Sequence, residues 1–324
     1  MPVQFCRQRS ECMQIFRHIG DPALALEKSV VTLGNFDGIH LGHQTLINGA
    51  VTDAKQLGVP SVVLTFEPHP LKILAPERAP RMLLTHKDKM QILQNLGVDV
   101  VIVQHFDLAF AKLGAEQFVR EFVVDRLKAR KIWVGRDLRF GQGRKGQVED
   151  LLRWGPELGF DVAAVDPILV NGARVSSSRV RQSIHDGRVN EARAMLGRYH
   201  FVSGRVTAGH RRGKDLGFPT ANIATRTEVL PMDGIYATLF QLGEKNLQSV
   251  SSVGVNPTFG EGPRTVESFI LNFKRDIYGE AVKLSFVQRI REERKFSSVE
   301  ELVGQIHEDV KCAETIFREL HVNS

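Results

Sequence analysis

A chain of 324 residues exceeds most single domains, and 42% hydrophobic with 25% charged residues is the balance of a folded protein with apolar mass for two cores, which excludes a disordered chain. The net charge of +6 is spread without a run of five like charges, so it favours anionic small ligands at least as well as nucleic acid. Cys6, Cys12 and Cys312 are too few and too scattered for a disulfide framework or a paired-thiolate metal clip, and no export core or stretch of about eighteen apolar residues occurs; a cytoplasmic protein without a membrane span is expected.

From Ser29 to Asp166, apolar β-branched runs alternate with segments of helical period. "VVTLGNF", "SVVLTF", "DVVIVQHF", "KIWVG" and "FDVAAVD" predict strands, and "HQTLINGAVTDAKQLG", "HKDKMQILQNLG", "AEQFVREFVVDRLKAR" and "QVEDLLRWGPELG" predict helices. Strands apolar on both faces and separated by helices predict a doubly wound parallel sheet. "GNFDGIHLGH", Gly34 to His43, ends the first strand and opens the first helix, where unpaired amides and the helix dipole attract phosphate. His40 and His43 are three residues apart on the first turn and face one side, with Gly42 leaving room for a ligand. Packing or capping is the plain alternative, while zinc lacks a third ligand at a standard spacing. "FEPHP" (Phe66 to Pro70) follows the second strand, "VGRDLRFGQGRKG" (Val134 to Gly146) the fourth, and "VSSSRVR" (Val175 to Arg181) starts a later helix. Four such loops on one sheet edge, two of them rich in cations and glycines suited to phosphate, point to a nucleotide.

After about Val175 a helical pair, "SRVRQSIHDG" and "VNEARAMLG", leads to short alternating strands: "YHFVSGRVTAG", "GIYATLFQL", "LQSVSSVGV", "TVESFILNF" and "AVKLSFVQRI". Five or six strands with Gly-rich turns predict an antiparallel barrel, closed by the helix "SSVEELVGQIHEDVKCAETIFRELH". The boundary falls near Asp186 to Arg188, giving domains 1–186 and 187–324. Gly213-Lys214 is not a P-loop, because Ala208 and Asp215 occupy the positions that need Gly and Ser or Thr. Gly209, Gly213 and Gly217 still free amides for an anion nest and Lys214 adds a charge; a solvated basic turn is the alternative. Thr220 and Asn222, two apart in "PTAN", share one face of an extended strand and suit a hard cation such as Mg²⁺ beside phosphates. Glu267 is the one acidic residue of "VESFILNF"; alternation places it with Phe269 and Leu271, which favours an inward carboxylate acting as a general base over a solvent-facing one.

"GNFDGIHLGHQ", "FEPHP", "VGRDLRFGQGRKG" and "SSSRVR", followed by "GKDLGFPTANI", "MDGIYA", "GVNPTFG", "VESFIL", "IYGE" and "IREERKF", resemble in order the bacterial bifunctional riboflavin kinase/FAD synthetases. The resemblance implies a nucleotidyltransferase-like domain followed by a six-stranded barrel kinase. In the first, His40, His43 and Arg181 would stabilise charge on ATP. Gly34, Asn35, Phe36, Asp37, Gly38, Ser176, Ser177, Ser178 and Arg179 would bind ATP, and Phe66, Pro68, Pro70, Asp137 and Arg139 the flavin. In the second, Gly209, Gly213, Lys214, Gly217 and Pro219 would bind ATP, Thr220 and Asn222 Mg²⁺, and Arg291 would lie near the flavin, with Glu267 as general base. Leu138 stands where the family more often has Phe, Val175 where it often has Ile, and Asn272 where Asp is common. ATP, riboflavin and FMN are the expected partners, with no nucleic acid, membrane or protein partner. The rival readings are an adenylyl- or cytidylyltransferase for another phosphate and a basic RNA-binding protein; the appended barrel opposes the first and the lack of an RNA-binding motif the second.

Overall fold

The computed structural model describes residues 13–208, 217–255 and 264–321. They form two compact units: one runs up to Arg81 and from His86 to Ser176, and the other takes Met82–Thr85 and the chain from Ser177 on.

In the first unit the expected strands and helices alternate. After β1 (Gln14–Phe16) come β2 (Ser29–Leu33), α1 (Leu41–Leu57), β3 (Ser61–Glu67), α2 (Pro70–Leu74), α3 (His86–Asn95), β4 (Val100–His105), α4 (Ala115–Phe118), β5 (Ala129–Gly135), the ribbon β6 (Arg139–Phe140) and β7 (Gly146–Gln147), α5 (Val148–Leu158), β8 (Asp161–Val165), and the ribbon β9 (Leu169–Val170) and β10 (Ala173–Arg174). The six-stranded sheet has the order β1-β4-β3-β2-β5-β8, every pair parallel. Its inner strands are covered on both faces, which is why β2 is buried at every position. Strand order reverses between β2 and β5, the switch point at whose carboxyl edge doubly wound folds leave a crevice. The helix expected over Ala115 to Arg130 is α4 continued as a π-helix over Val119–Arg126, with Leu127 N–H donating to Phe122 O at 2.8 Å. Buried Val119, Val123 and Leu127 recur every four residues, between the α and π periods, so the wider turn keeps them on the core.

In the second unit α6 (Ser177–His185) and α7 (Val189–Leu196) precede β11 (His200–Thr207), β12 (Thr220–Thr225), β13 (Gly234–Leu242), β14 (Lys245–Gly254), β15 (Thr265–Ile270), β16 (Ala281–Arg291) and α8 (Val299–Glu319). The strands close a six-stranded barrel in the order β11-β12-β15-β14-β13-β16, all pairs antiparallel. Its interior is filled from every strand, by Val202, Ile223, Phe240, Val253, Val266 and Phe286 among others. A second cluster, Ala237, Val250 and Val287 against Ala313, Ile316 and Phe317, seats α8 on the outside of the wall. Among the described residues no helix is long and apolar enough to cross a membrane.

Candidate functional site

In the first unit the loop from Gly34 to His40 leaves β2 through two left-handed non-glycine residues, Phe36 (φ 49°) and Ile39 (φ 39°), with Gly38 at φ 79° between them. Such backbone is costly for residues with a Cβ and concentrates at functional sites. His40 is the N-cap of α1: its Nδ1 accepts the His43 N–H at 3.4 Å, which leaves Nε2 to carry the proton of a neutral ring. The two imidazoles stack with centroids 3.6 Å apart and planes 17° apart, and Phe36 meets His43 edge-on at 5.3 Å. A Cβ at Gly42 would come within 3.3 Å of the His40 ring, so the glycine makes room for that ring.

His43 Nδ1 is buried with no hydrogen-bond partner among the described residues. Burial first, then the His40 and Lys89 charges, hold the His43 ring well below the usual histidine range. Lys89, on α3, donates to Asn35 O at 2.8 Å and to Thr65 Oγ1 at 3.0 Å; burial lowers its ammonium to about 8 against the opposing pull of Asp37 and Glu67. The motif loops after β2 and β3 also meet side by side, with the Asn35 amide 3.2 Å from His69 Nε2. Thus Gly34, Asn35, Phe36, Asp37, Gly38, His40 and His43 line one strand end, and Phe66, Pro68 and Pro70 end the adjacent strand and open α2.

In the glycine-rich loop after β5 two glycines have a packing role. Cβ atoms at Gly141 and Gly146 would both lie 2.7 Å from Ala115, so these glycines allow the β6–β7 ribbon to pack on the start of α4. Asp137 pairs with Arg174, Arg139 is exposed, and Leu138 packs on the core. Ser176 ends the first unit; Ser177, Ser178, Arg179 and Arg181 lie in α6 of the second.

On the barrel, Glu267 of β15 is the cross-strand partner of Asn222 in β12 and of Ser252 in β14. Thr220 Oγ1 donates to Glu267 Oε2 at 3.4 Å. The expectation of an inward Glu267 is corrected here. Val266 and Ile270 of β15 fill the barrel, while Glu267, partly buried, shares the outer face with Phe269. Phe269 is covered by Phe218, which also contacts His307 of α8, so a strand can carry an apolar residue on each face. Ser252 in turn donates to Glu293 Oε1 at 2.9 Å, and a Cβ at Gly254 would overlap the Glu293 carboxylate. Burial pushes that carboxyl up. The Arg291 guanidinium forms a bidentate pair with Asp309 of α8, at 2.8 and 2.7 Å. Gly217 and Pro219 are exposed just before β12; Gly209, Gly213 and Lys214 lie outside the described residues. Asn272 takes a left-handed backbone, φ 55°, which Asn tolerates well.

Lys89, Thr65 and Glu293 were missed from sequence. The one available signal was a lysine four residues before buried Leu93, on the apolar side of an amphipathic helix.

A family model described as FAD synthetase matches residues 23–179, and one described as riboflavin kinase matches 196–317. Bifunctional riboflavin kinase/FMN adenylyltransferases of Escherichia coli K12 and Listeria monocytogenes are 36% and 35% identical to the chain, covering 94% and 90% of it and 98% and 93% of their own lengths. A solved structure from Streptococcus pneumoniae, described as a macrolide-efflux protein, is 33% identical and superposes with a TM-score of 0.84 over 93% of this chain and 98% of that one. With two family models in tandem and relatives matched along nearly their full length, the chain belongs to the family of bifunctional riboflavin kinase/FMN adenylyltransferases.

Proposed function

We propose that residues 1–186 carry adenylyl transfer and residues 187–324 phosphoryl transfer. The enzyme phosphorylates riboflavin to FMN with ATP and adenylylates FMN to FAD with release of pyrophosphate. The observation that carries the assignment of the kinase site is the alignment of Thr220, Asn222 and Glu267 on one outer wall of the barrel. Glu267 takes the proton of the ribityl hydroxyl as it attacks the γ-phosphorus of ATP.

The donors there fit Mg²⁺. A hydroxyl and an amide oxygen on one strand face suit a hard cation that keeps waters and phosphate oxygens as its remaining ligands, and among the described residues no cluster of three His, Cys, Asp or Glu competes for it. Thr220 and Asn222 would hold the ion, which when bound neutralises charge on the nucleotide phosphates. Arg291, anchored by Asp309, borders the flavin, and Gly217 and Pro219, with Gly209, Gly213 and Lys214, bind the phosphates of ATP.

For FAD formation the FMN phosphate is already anionic and attacks the α-phosphorus without a base. His40, His43 and Arg181 act by preorganised charge stabilisation. Gly34 to Gly38 and Ser176 to Arg179 bind ATP, and Phe66, Pro68, Pro70, Asp137 and Arg139 the flavin, in keeping with the family resemblance. Three scattered cysteines support a cytoplasmic location, and the partners are the substrates ATP, riboflavin and FMN.

The test is a pair of substitutions in the full chain, with FMN and FAD separated by chromatography. His43→Ala should slow FAD formation by about 10²-fold or more and spare FMN formation. Glu267→Gln should slow FMN formation by roughly 10²- to 10⁴-fold and spare FAD synthesis from supplied FMN. If both steps fell together in either stable variant, the two-site assignment would be wrong.

A further inference from the structure

Lys89 is not among the residues that the motifs name, yet it sits at the foot of the loop they share. Its Nζ reaches the Asn35 carbonyl at 2.8 Å and Thr65 Oγ1 at 3.0 Å, and Thr65 Oγ1 itself donates to the same carbonyl at 3.2 Å. One backbone carbonyl thus receives two donors, from α3 and from β3. Beside it, Gly34 N–H is tied to Leu64 O at 3.0 Å and Phe36 turns left-handed, so the clamp acts where the loop departs from β2.

The charge of Lys89 faces three groups. Asp37, in the loop and 2% exposed, and Glu67, at the end of β3, stabilise it. Glu67 is itself engaged by His86 at 2.7 Å. His43 lies on the other side of the account: both Lys89 and the stacked His40 oppose a proton there. Two imidazolium rings 3.6 Å apart would repel, so the stacked pair is the geometry of a neutral His43.

We propose that Lys89 is a positioning residue for adenylyl transfer: it clamps the Asn35 carbonyl to hold the loop from Gly34 to His40, and it sets a fixed positive charge beside the His40–His43 pair. This rests on the reading that the histidine pair serves FAD formation, and His43→Ala is the control for that reading. Misplacing a phosphate loop by about 1 Å costs on the order of 10²-fold in rate. Removing the neighbouring cation also lets His43 take a proton at higher pH.

The experiment measures FAD formation from FMN and ATP across pH in the full chain, with riboflavin phosphorylation on the same preparation as the control for folding. Lys89→Met should lose about 10²-fold in FAD formation, keep FMN formation, and shift the acid limb of the FAD rate to higher pH. Lys89→Arg retains the charge and should leave the acid limb where the wild type has it. Thr65→Val removes one of the two donors and should slow the reaction by less than about tenfold with the limb unmoved. A wild-type rate in Lys89→Met, or a slow Lys89→Met enzyme whose limb has not moved, overturns the proposal. If Lys89→Met does not fold, Lys89→Arg decides: a limb displaced from the wild-type position overturns it. If His43→Ala makes FAD normally, the fault lies in the underlying reading instead.

Discussion

His200 begins β11 at 3% exposure, with its Nε2 3.0 Å from the Val229 carbonyl and its ring stacked 6.0 Å from Phe286. As a neutral ring it donates to that carbonyl. Burial lowers it to about 4, a shift that the carbonyl partly opposes and the Arg198 charge reinforces. In the unfolded chain the same ring titrates near 6.5. Between those values the unfolded state binds a proton that the folded state refuses, so stability present above about pH 6.5 is lost as pH falls towards 4. From pH 7 to pH 5 the loss is on the order of 2 kcal/mol. Comparing urea midpoints of the barrel in wild type and His200→Gln at both pH values checks this, since the variant should show a shallower pH dependence by that amount. Equal slopes would mean that His200 is not the group responsible.

At the scale of elements, α8 is joined to β16 by the Arg291–Asp309 pair as well as by apolar packing. Asp309 is 3% exposed and also accepts from Gln305 Nε2 at 2.9 Å, so its charge is fully hydrogen-bonded. Asp309→Ala would leave the Arg291 guanidinium without its carboxylate partner. Breaking a fully buried pair costs roughly 3–5 kcal/mol, and because Arg291 keeps 20% of its side chain in solvent the expected cost is nearer about 1–3 kcal/mol. Since the same pair sets Arg291 on the barrel wall, the kinase rate should fall while FAD synthesis from supplied FMN holds. Thermal unfolding and the two rates, measured together, check it; an unchanged melting profile with both rates intact would show that apolar packing alone holds the helix.

For the whole molecule, the prediction concerns separability. Met232 N–H donates to Ile184 O at 3.2 Å, Ser183 Oγ donates to Glu191 at 3.3 Å, and Val189 belongs to the barrel core, so α6 and α7 have partners within the second unit. A fragment starting at Ser177 and one starting at Gly187 should both make FMN and no FAD. The longer one should be the more stable because it keeps Ile184, Ser183 and their contacts. FAD from either fragment, or no kinase activity in the soluble longer one, would contradict the proposed division of labour.

Periodicity made the central strands and long helices legible, because a doubly covered strand and an amphipathic helix each write their environment into a short window. The motif loops were legible for the same reason: each is a contiguous run at the end of one strand. β1 was missed because a three-residue edge strand has too few positions to show a period. Alternation along β15 established that Glu267 and Phe269 share a face, but only barrel closure decided that this face is the outer wall. The glycines at 141 and 146 look like a phosphate loop in sequence, and only the approach of Ala115 gives them their packing role. Lys89 and Glu293 depend on partners brought from other parts of the chain, Asn35 and Thr65 for one and Ser252 and Gly254 for the other. Sequence alone therefore determined the fold classes, their order and the motif residues, which are set by local pattern. The tertiary structure decided which face is buried and which distant side chains support the motifs, because burial and electrostatic fields arise from groups far apart in the chain.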